Sequence, residues 1–260
     1  MKIVLNEQVV EQPAGISLFE LRNRIKPQAD LLILNGVQEC NDVLLKDGDS
    51  LHFIVRGEIP DQNELEALMV ARHTPGIHRK IKEACVGIAG LGGLGSAVAV
   101  ALARIGVGKL ILVDFDRVEP SNLNRQQYFV DQIGWLKTEA LLENLRRINP
   151  YVEYEIQTIR LTLKNSAKIF DEAEIVVEAF DRADQKSMLL EALREKTFVG
   201  ASGVAGYGSE KLIEVRKMGQ RIYLVGDFET AAVAGCGLMA PRVGIVAHIQ
   251  ANLVLQEILK

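Results

Sequence analysis

A glycine-rich turn between an apolar strand pattern and a helical pattern constrains the fold of this chain more than any other feature. The run Val86–Ala89 is typical of a buried strand, and Gly90-Leu91-Gly92-Gly93-Leu94-Gly95 follows it directly. In this G-x-G-x-x-G pattern the first glycine permits a tight turn, the second lets a phosphate-bearing ligand approach the backbone, and the last lets helix and strand pack closely. Amides at the helix start face an anion. The turn therefore predicts a nucleotide site, with Gly90, Gly92, Gly93 and Gly95 as binding candidates.

Strand and helix patterns alternate after this turn. Strand patterns cover Lys109–Val113, Ile175–Ala179 and Thr197–Ala201, helical patterns cover Gly134–Ile148 and Arg242–Leu259, and an antiparallel pair is indicated at Lys211–Lys217 and Arg221–Val225. Alternation of this kind is typical of helices packed on a parallel sheet. We therefore predict an α/β fold in residues 84–260, with a doubly wound, mostly parallel, Rossmann-like sheet.

The first 57 residues predict a separate, small α+β domain. Its helix begins after Ser17, which forms a capping-box pattern with Glu20. The strand patterns are Lys2–Asn6, Gln8–Glu11, Leu31–Leu34 and Leu51–Val55, and the hairpin signal Asn35-Gly36 follows the third of them. Residues 58–83 are charged and amphipathic, which predicts a linker whose helix is broken at Thr74-Pro75-Gly76.

Charge and cysteine content exclude several classes of protein. The 260 residues carry 30 Lys and Arg against 34 Asp and Glu, a net charge of −4. No basic excess exists for nucleic acid or an anionic membrane, and no apolar run suits a membrane span or signal peptide. Cys40, Cys85 and Cys236 form no Cys-x-x-Cys, which argues against a disulfide scaffold and a four-cysteine zinc site. We therefore expect a cytoplasmic protein without nucleic-acid or membrane partners.

A carboxylate ends the strand that follows the glycine turn. Asp114 lies about 20 residues after Gly92, where a carboxylate accepts hydrogen bonds from ribose hydroxyls. Glycine turn and carboxylate together favour an adenine nucleotide. On these features alone an NAD-dependent oxidoreductase remains open.

The segment that begins at Asp114 carries a resemblance to a known family. It reads Asp-Phe-Asp-Arg-Val-Glu-Pro-Ser-Asn-Leu-Asn-Arg-Gln to Gln126 and resembles the DxDxVExSNLxRQ signature of ThiF/MoeB-type adenylyltransferases, relatives of the ubiquitin-activating enzymes. Lys137 in Gly134-Trp135-Leu136-Lys137 matches the family's Gly-x-x-Lys. The resemblance covers most of residues 65–260, and the nearest subgroup is that of short, zinc-free ThiF-like proteins.

Adenylylation of a carboxylate accounts for the residue types in this segment. The reaction brings an anion to ATP and releases pyrophosphate, so fixed cations and a metal must offset the charge. The planar guanidinium of Arg125 can donate two parallel hydrogen bonds to a phosphate, and Lys137 supplies a compact charge near the leaving group. Asp181 follows a strand pattern and is the candidate ligand of Mg²⁺, because hard cations take carboxylate oxygens. The expected cofactors are ATP and Mg²⁺.

The resemblance implies further roles. It assigns Asp114 to the ribose, and Asn122 and Gln126 to the walls of the pocket. It also implies that an arginine before the sheet, for which Arg72 is our candidate, reaches the ATP of a neighbouring subunit, and hence that the protein is a homodimer. Arg72 as an ordinary solvated helix arginine is an equal alternative, and Asp116 is as compatible with a turn as with a ligand role.

The chain departs from the family at two places that matter. The usual Asp-Asn-x-x-x-Arg is here Asp181-Arg182-Ala183-Asp184-Gln185-Lys186, which keeps a positive charge but loses the arginine's two-point geometry. The family's paired Cys-x-x-Cys zinc clips are absent, so no zinc is expected. Cys236 lies between two glycines, and we favour a small packing residue there over a thioester-forming nucleophile.

Residues 1–57 resemble a β-grasp sulfur carrier of the ThiS type. The shared features are the Lys-Ile-x-Leu-Asn opening, the Ser-Leu-x-Glu-Leu helix start and the Leu-Lys-Asp-Gly-Asp turn. Such carriers end in a free Gly-Gly, whereas Gly57 here is followed by more chain.

The leading hypothesis is therefore ATP-dependent adenylylation of a separate ThiS-type sulfur carrier, in sulfur transfer for thiamine biosynthesis. The alternatives are a non-catalytic nucleotide-binding scaffold whose fused domain blocks or regulates carrier docking and, with less support, the oxidoreductase.

Overall fold

The computed structural model divides the chain into two compact units, Met1–His78 and Arg79–Lys260. It describes residues 1–6, 8–58, 62–73 and 75–260. The domain limits predicted from sequence, 1–57, 58–83 and 84–260, remain a prediction. No helix in these described ranges is long and apolar enough to cross a membrane.

The first unit contains a small sheet with one helix packed on it. Its elements are β1 (Lys2–Leu5), β2 (Gln8–Glu11), α1 (Leu18–Ile25), β3 (Leu31–Leu34), β4 (Val37–Gln38) and β5 (Ser50–Ile54). The strands lie in the order β2-β1-β5-β3-β4, with β1 and β5 parallel and the remaining neighbours antiparallel. This arrangement confirms the predicted separate α+β domain.

Local sequence signals explain the elements of this unit. The Ser17 hydroxyl accepts a hydrogen bond from the Glu20 amide and caps α1, and α1 ends two residues before Pro27. Asn35 and Gly36 both have positive φ, 52° and 81°, which is the turn that joins β3 to β4. Leu18 and Leu21 of α1 are fully buried against Leu51 of β5 and its neighbours in one core.

Two helices follow. α2 covers Gln62–His73 and α3 covers Pro75–Glu83. α3 begins at the proline of the predicted break, since proline is favoured in the first turn of a helix. Thr74, the first residue of that break, lies outside the described residues.

The second unit alternates strands and helices. Its elements are β6 (Cys85–Ala89), α4 (Gly93–Arg104), β7 (Lys109–Val113), α5 (Lys137–Ile148), β8 (Glu153–Gln157), α6 (Ser166–Ile169), β9 (Ile175–Glu178), α7 (Ala183–Ala192), β10 (Thr197–Ala201), β11 (Glu214–Met218), β12 (Ile222–Gly226) and α8 (Ala240–Ile258). The strand order is β11-β12-β10-β9-β6-β7-β8. All neighbours are parallel except β11 and β12, which confirms the predicted α/β fold class.

One predicted detail of this unit was wrong, and one strand was missed. The helix predicted from Gly134 begins at Lys137, because Gly134 has a φ of 90° and its amide bonds to the Val118 carbonyl. β8 was not predicted at all. Its sequence Glu-Tyr-Glu-Ile-Gln is half-buried at the edge of the sheet and lacks an apolar run.

The strand order determines where a ligand can bind. From the central strand β6 the sheet extends to β7 and β8 on one side and to β9 and β10 on the other. Loops leaving β6 and β9 therefore diverge, and a crevice opens at the carboxyl ends of these strands. α4 and α8 pack against each other on one face of the sheet.

Candidate functional site

A cavity of about 720 Å³ lies at the carboxyl ends of the parallel strands. Its lining includes most of the residues predicted as a site from sequence, namely Gly90, Gly92, Gly93, Asp114, Asn122, Arg125, Gln126, Lys137 and Asp181. These residues span about 90 positions in sequence and are brought together by the sheet.

The glycine turn shapes the start of α4. Gly90 has a φ of 90°, and its amide bonds to the Val113 carbonyl of the neighbouring strand. A Cβ on Gly95 would lie 1.8 Å from the Gly90 carbonyl oxygen, so only glycine fits there. Gly95 thus serves the contact of helix with strand and is not part of the cavity lining.

Asp114 joins the glycine turn to the loop after β7. The carboxylate is buried, and its Oδ2 accepts a hydrogen bond from the Leu91 amide at 2.6 Å. Its Oδ1 accepts another from the Asp116 amide at 2.8 Å. A carboxylate accepts about four hydrogen bonds, so acceptor capacity remains for a ligand hydroxyl.

The signature segment folds into a short 3₁₀ turn beside α4. Asn122 is buried and accepts the Glu119 amide, which fixes this turn. The Arg125 guanidinium donates to the Ser121 carbonyl at 3.1 Å and to Asn124 Oδ1 at 2.8 Å. Its aliphatic stem lies beside Gly93, where an added Cβ would come within 3.2 Å of Arg125 Cγ. Arg125 is therefore held next to the helix start.

Lys137 is held by a carboxylate whose role the sequence left open. Its side chain is 9% exposed, and Nζ lies 3.1 Å from Oδ2 of Asp116. The Lys137 amide also donates to the Asp116 carbonyl. Asp116 is thus an ion-pair partner within the site in addition to being a loop residue.

Asp181 is exposed in the loop between β9 and α7 and lines the cavity. Next to it, Arg182 forms a two-point ion pair with Asp184, at 3.0 and 3.1 Å. Within the described ranges no cluster of three or more His, Cys, Asp or Glu side chains is placed to hold a metal ion.

Sequence reasoning missed a buried ion pair below this loop. Glu178 is 1% exposed, and Lys186 Nζ donates to both of its carboxylate oxygens, at 2.8 and 3.1 Å, and to the Ala201 carbonyl. Burial raises the pKa of Glu178, and the ammonium of Lys186 acts against that rise. The sequence signal that could have predicted this pair is Glu178 itself, an acidic residue at the end of an otherwise apolar strand.

A second buried ion pair joins α8 to the loop after β12. Arg242 Nη2 lies 2.6 Å from Asp227 Oδ2, and both side chains are about 5% exposed or less. Burial acts to raise the pKa of Asp227, but hydrogen bonds from Thr230, Glu229 and Arg242 outweigh it and lower the pKa to about 2. Thr230 lines the cavity, so this pair anchors part of the cavity wall. No local sequence pattern predicts that Asp227 and Arg242 form a pair.

Cys236, another candidate of the second unit, is not part of the cavity lining. Cys236 is half-buried in a tight turn with Val233, and its Sγ packs beside Gly206. This position agrees with a packing role. Arg72 is exposed on α2 in the first unit, and its predicted reach into a neighbouring subunit remains a prediction.

The parallel sheet, the glycine turn and the polar cavity at the carboxyl edge define a Rossmann-like α/β protein. A family model described as the ThiF family matches residues 66–260, and one described as ThiS-like ubiquitin matches residues 1–57. The chain therefore belongs to the ThiF family, with a ThiS-like domain before it. Both resemblances stated from the sequence are confirmed, and the family favours ATP chemistry over the NAD-dependent alternative.

Two known proteins are similar to most of the chain. Ubiquitin-like modifier-activating enzyme 5 of Xenopus laevis is 27% identical over 92% of this chain and 59% of its own length. Adenylyltransferase and sulfurtransferase UBA4 of Candida glabrata is 28% identical over 84% of this chain and 54% of its own. The chain thus spans just over half the length of these two relatives.

Solved structures show the same fold. E. coli tRNA N6-threonylcarbamoyladenosine dehydratase TcdA, in complex with ATP, has a TM-score of 0.70 and 22% identity. The match covers 78% of this chain and 97% of that one.

Proposed function

We propose that the protein is an adenylyltransferase that activates the C-terminal glycine carboxylate of a ThiS-type sulfur carrier with ATP. The observation that carries the proposal is the cavity, in which a helix start, Arg125, Lys137 and Asp181 lie around one space. A cluster of fixed positive charge beside a carboxylate suits a triphosphate and its metal. Membership of the ThiF family supports it, as do the names of the two relatives, one an activating enzyme and the other an adenylyltransferase and sulfurtransferase.

The proposed reaction is an in-line displacement at the α-phosphate. A carboxylate oxygen of the carrier forms a bond to the α-phosphorus, the bond to the bridging oxygen breaks, and pyrophosphate leaves with that electron pair. Arg125 and Lys137 offset the charge that develops on the leaving group. Asp116 holds Lys137, and Asp114 accepts from a ribose hydroxyl and orients the nucleotide.

The residues present fit Mg²⁺. Mg²⁺ is commonly held by one or two carboxylates together with substrate phosphates and waters. Asp181 is exposed to the cavity, and its carboxylate is the candidate protein ligand. When bound, the ion would offset charge on the phosphate oxygens.

The biological setting proposed is sulfur transfer for thiamine biosynthesis, by a cytoplasmic homodimer. The ThiS-like domain at the N terminus and the similarity to an adenylyltransferase and sulfurtransferase support a sulfur carrier as partner. The carrier is supplied by a separate chain, because Gly57 is internal here.

ATP–pyrophosphate exchange tests the reaction. With Mg²⁺ and a ThiS-type carrier ending in Gly-Gly, we expect exchange in the full-length protein. Arg125→Ala and Asp181→Ala should lower the rate at least about a hundredfold, since removal of a group that stabilises developing charge has effects of this size. A matched control, Arg146→Ala on the exposed side of α5, should leave the rate unchanged. Full activity in both site variants would refute the proposed site.

A second candidate is a non-catalytic nucleotide-binding scaffold. The residues after β5 are tied to the body of the first unit, since Arg56 pairs with Asp30 and Glu58 pairs with Lys26. This favours a fused domain that does not itself act as a carrier. If calorimetry showed that ATP binds but no ATP–pyrophosphate exchange occurred in the presence of the carrier, the scaffold would be favoured over the enzyme.

A further inference from the structure

The segment that follows β9 carries two positively charged side chains, and both line the cavity. They are Arg182, directly before α7, and Lys186, one helical turn further along the chain. The three N–H donors of the Lys186 ammonium are engaged within the protein, by the two carboxylate oxygens of Glu178 and by the Ala201 carbonyl. Lys186 therefore holds the segment to the sheet and has no donor left for a ligand.

The guanidinium of Arg182 is held much more weakly. Its side chain is 66% exposed and pairs with that of Asp184, which is 58% exposed. The Nε and Nη2 atoms donate to the two carboxylate oxygens at 3.0 and 3.1 Å, which engages two of the five N–H donors of the guanidinium. An ion pair this exposed contributes little to stability, because water screens it. Arg182 can therefore leave Asp184 at small cost when another anion enters the cavity.

The strand order indicates which part of a nucleotide lies nearest to Arg182. β6 lies between β7 and β9, so the glycine turn after β6 separates Asp114, at the end of β7, from Arg182. Neighbouring strands are about 4.8 Å apart, which puts the ends of β7 and β9 about 10 Å from each other. A Cβ on Gly90 would lie 3.0 Å from the Ala179 carbonyl oxygen, so the glycine turn touches the segment after β9. A nucleotide with its ribose at Asp114 therefore extends its terminal phosphates across the turn towards Arg182.

We propose that Arg182 releases Asp184 and binds the β- and γ-phosphates of ATP. This inference rests on the ATP binding of the proposed function and adds a residue to it. A guanidinium can donate two parallel hydrogen bonds to a phosphate as it does to a carboxylate, so the phosphates replace Asp184 with the same geometry. The family pattern has asparagine at this position, so the positive charge of Arg182 is a feature of this chain.

Calorimetric titration of the full-length protein with ATP and Mg²⁺, without carrier, measures this contact. Arg182→Ala should raise the Kd for ATP at least about tenfold, the effect of a lost hydrogen bond between charged groups. The Kd for AMP, which lacks both terminal phosphates, should stay the same. Arg146→Ala on the exposed side of α5 is the control and should bind both nucleotides like the wild type. An equal loss of affinity for ATP and AMP, or no loss for either, would overturn the proposal.

The effect of Asp184→Asn should have the opposite sign. Loss of the competing carboxylate should lower the Kd for ATP about two- to fivefold, the size of an exposed ion pair. This gain should disappear when Arg182→Ala is also present, because no guanidinium is then left to be released. A gain that persists in the double variant would mean that Asp184 repels ATP directly, and it would overturn the proposal.

The control for Asp184→Asn is Glu214→Gln, which removes the carboxylate of another exposed pair, formed with Arg216 on β11. Both substitutions remove one negative charge, but Glu214 is not part of the cavity lining. Glu214→Gln should leave the Kd for ATP unchanged. An equal gain in both variants would assign the effect to net charge and overturn the release of Asp184.

Melting temperatures separate a ligand contact from a structural one. Arg182→Ala should melt within about 2 °C of the wild type, because the pair that it removes is exposed. A larger drop would assign Arg182 to the stability of the fold and overturn the proposal.

Binding and exchange together distinguish failure of this inference from failure of the proposed function. A wild type that binds ATP but gives no ATP–pyrophosphate exchange with the carrier would refute adenylylation, and the Kd values would still decide the role of Arg182. A wild type that binds no ATP would refute both.

Discussion

The lysine of the cavity, Lys137, forms an ion pair with Asp116. Removing the charge of Asp116 tests whether this carboxylate positions the lysine for the reaction. Asp116→Asn should leave the Lys137 ammonium without its fixed partner at 3.1 Å. Because a hydrogen bond between charged groups is worth about 1.5–3 kcal/mol, we expect kcat for exchange to fall at least about tenfold. KM for ATP should change less, since Lys137 acts on the departing charge.

The control for this substitution is Asp131→Asn, an exposed aspartate on a 3₁₀ turn outside the cavity lining. It should leave both kinetic constants unchanged. An equal effect of the two substitutions would mean that Asp116 does not position Lys137.

Residues in an ordered motif could be predicted as a site, whereas residues that meet only in the folded chain could not. Asp114, Arg125 and Lys137 follow the glycine turn within one stretch of sequence, and all three line the cavity. Asp227 and Arg242 lie in a loop and a helix with no pattern that relates them. Their pairing depends on how α8 packs, which is a tertiary property.

Among the elements, prediction succeeded where burial on both faces gives a continuous apolar run. β7 and β10 were both predicted to the residue, because these central parallel strands are apolar after their first residue. β8 at the sheet edge is only half-buried, and its sequence Glu-Tyr-Glu-Ile-Gln alternates polar with apolar residues, a pattern of a half-buried strand that differs from the continuous apolar runs of the central strands. The start of α5 was predicted wrongly for a different reason, since Gly134 and Trp135 are hydrogen-bonded to Val118 and Leu136 forms a β-bridge with Arg117 before the helix begins.

The ion pair between Asp227 and Arg242 joins the loop after β12 to the helix α8, and the Asp227 carboxylate becomes protonated in acid. Asp227 has a pKa of about 2, lowered from 3.8, so its folded-state carboxylate contributes stability above about pH 4. That contribution is lost as the pH falls from about 4 to 2, and its size at neutral pH is about 2 kcal/mol. Asp227→Asn should therefore lower the free energy of unfolding at pH 7, and its difference from the wild type should shrink towards pH 2.

Urea unfolding at several pH values between 2 and 7 measures this difference. Asp171→Asn, an exposed aspartate, is the control and should follow the wild type throughout. If the free energy of unfolding of the wild type exceeded that of Asp227→Asn by the same amount at every pH down to 2, a lowered pKa of Asp227 would be contradicted.

At the scale of the whole molecule, the homodimer implied by the family resemblance leads to a prediction about Arg72. If Arg72 completes the site of the neighbouring subunit, Arg72→Ala and Arg125→Ala should each be inactive alone. In a mixed dimer, however, the site with an intact Arg125 receives an intact Arg72 from the other subunit, and one of the two sites is complete.

Co-expression of the two variants at equal levels makes half of the dimers mixed, so about a quarter of wild-type exchange activity should return. Separate tags on the two variants allow the mixed dimer to be purified, and it should have half of the wild-type activity per dimer. Arg72→Ala mixed with itself is the control and should stay inactive. No recovery in a purified mixed dimer would place Arg72 in its own subunit's site, and full activity of Arg72→Ala alone would place it outside any site. A monomer by light scattering would refute the dimer itself. Because both variants carry the same fold and differ by one side chain each, recovery has no source other than a site built from two chains.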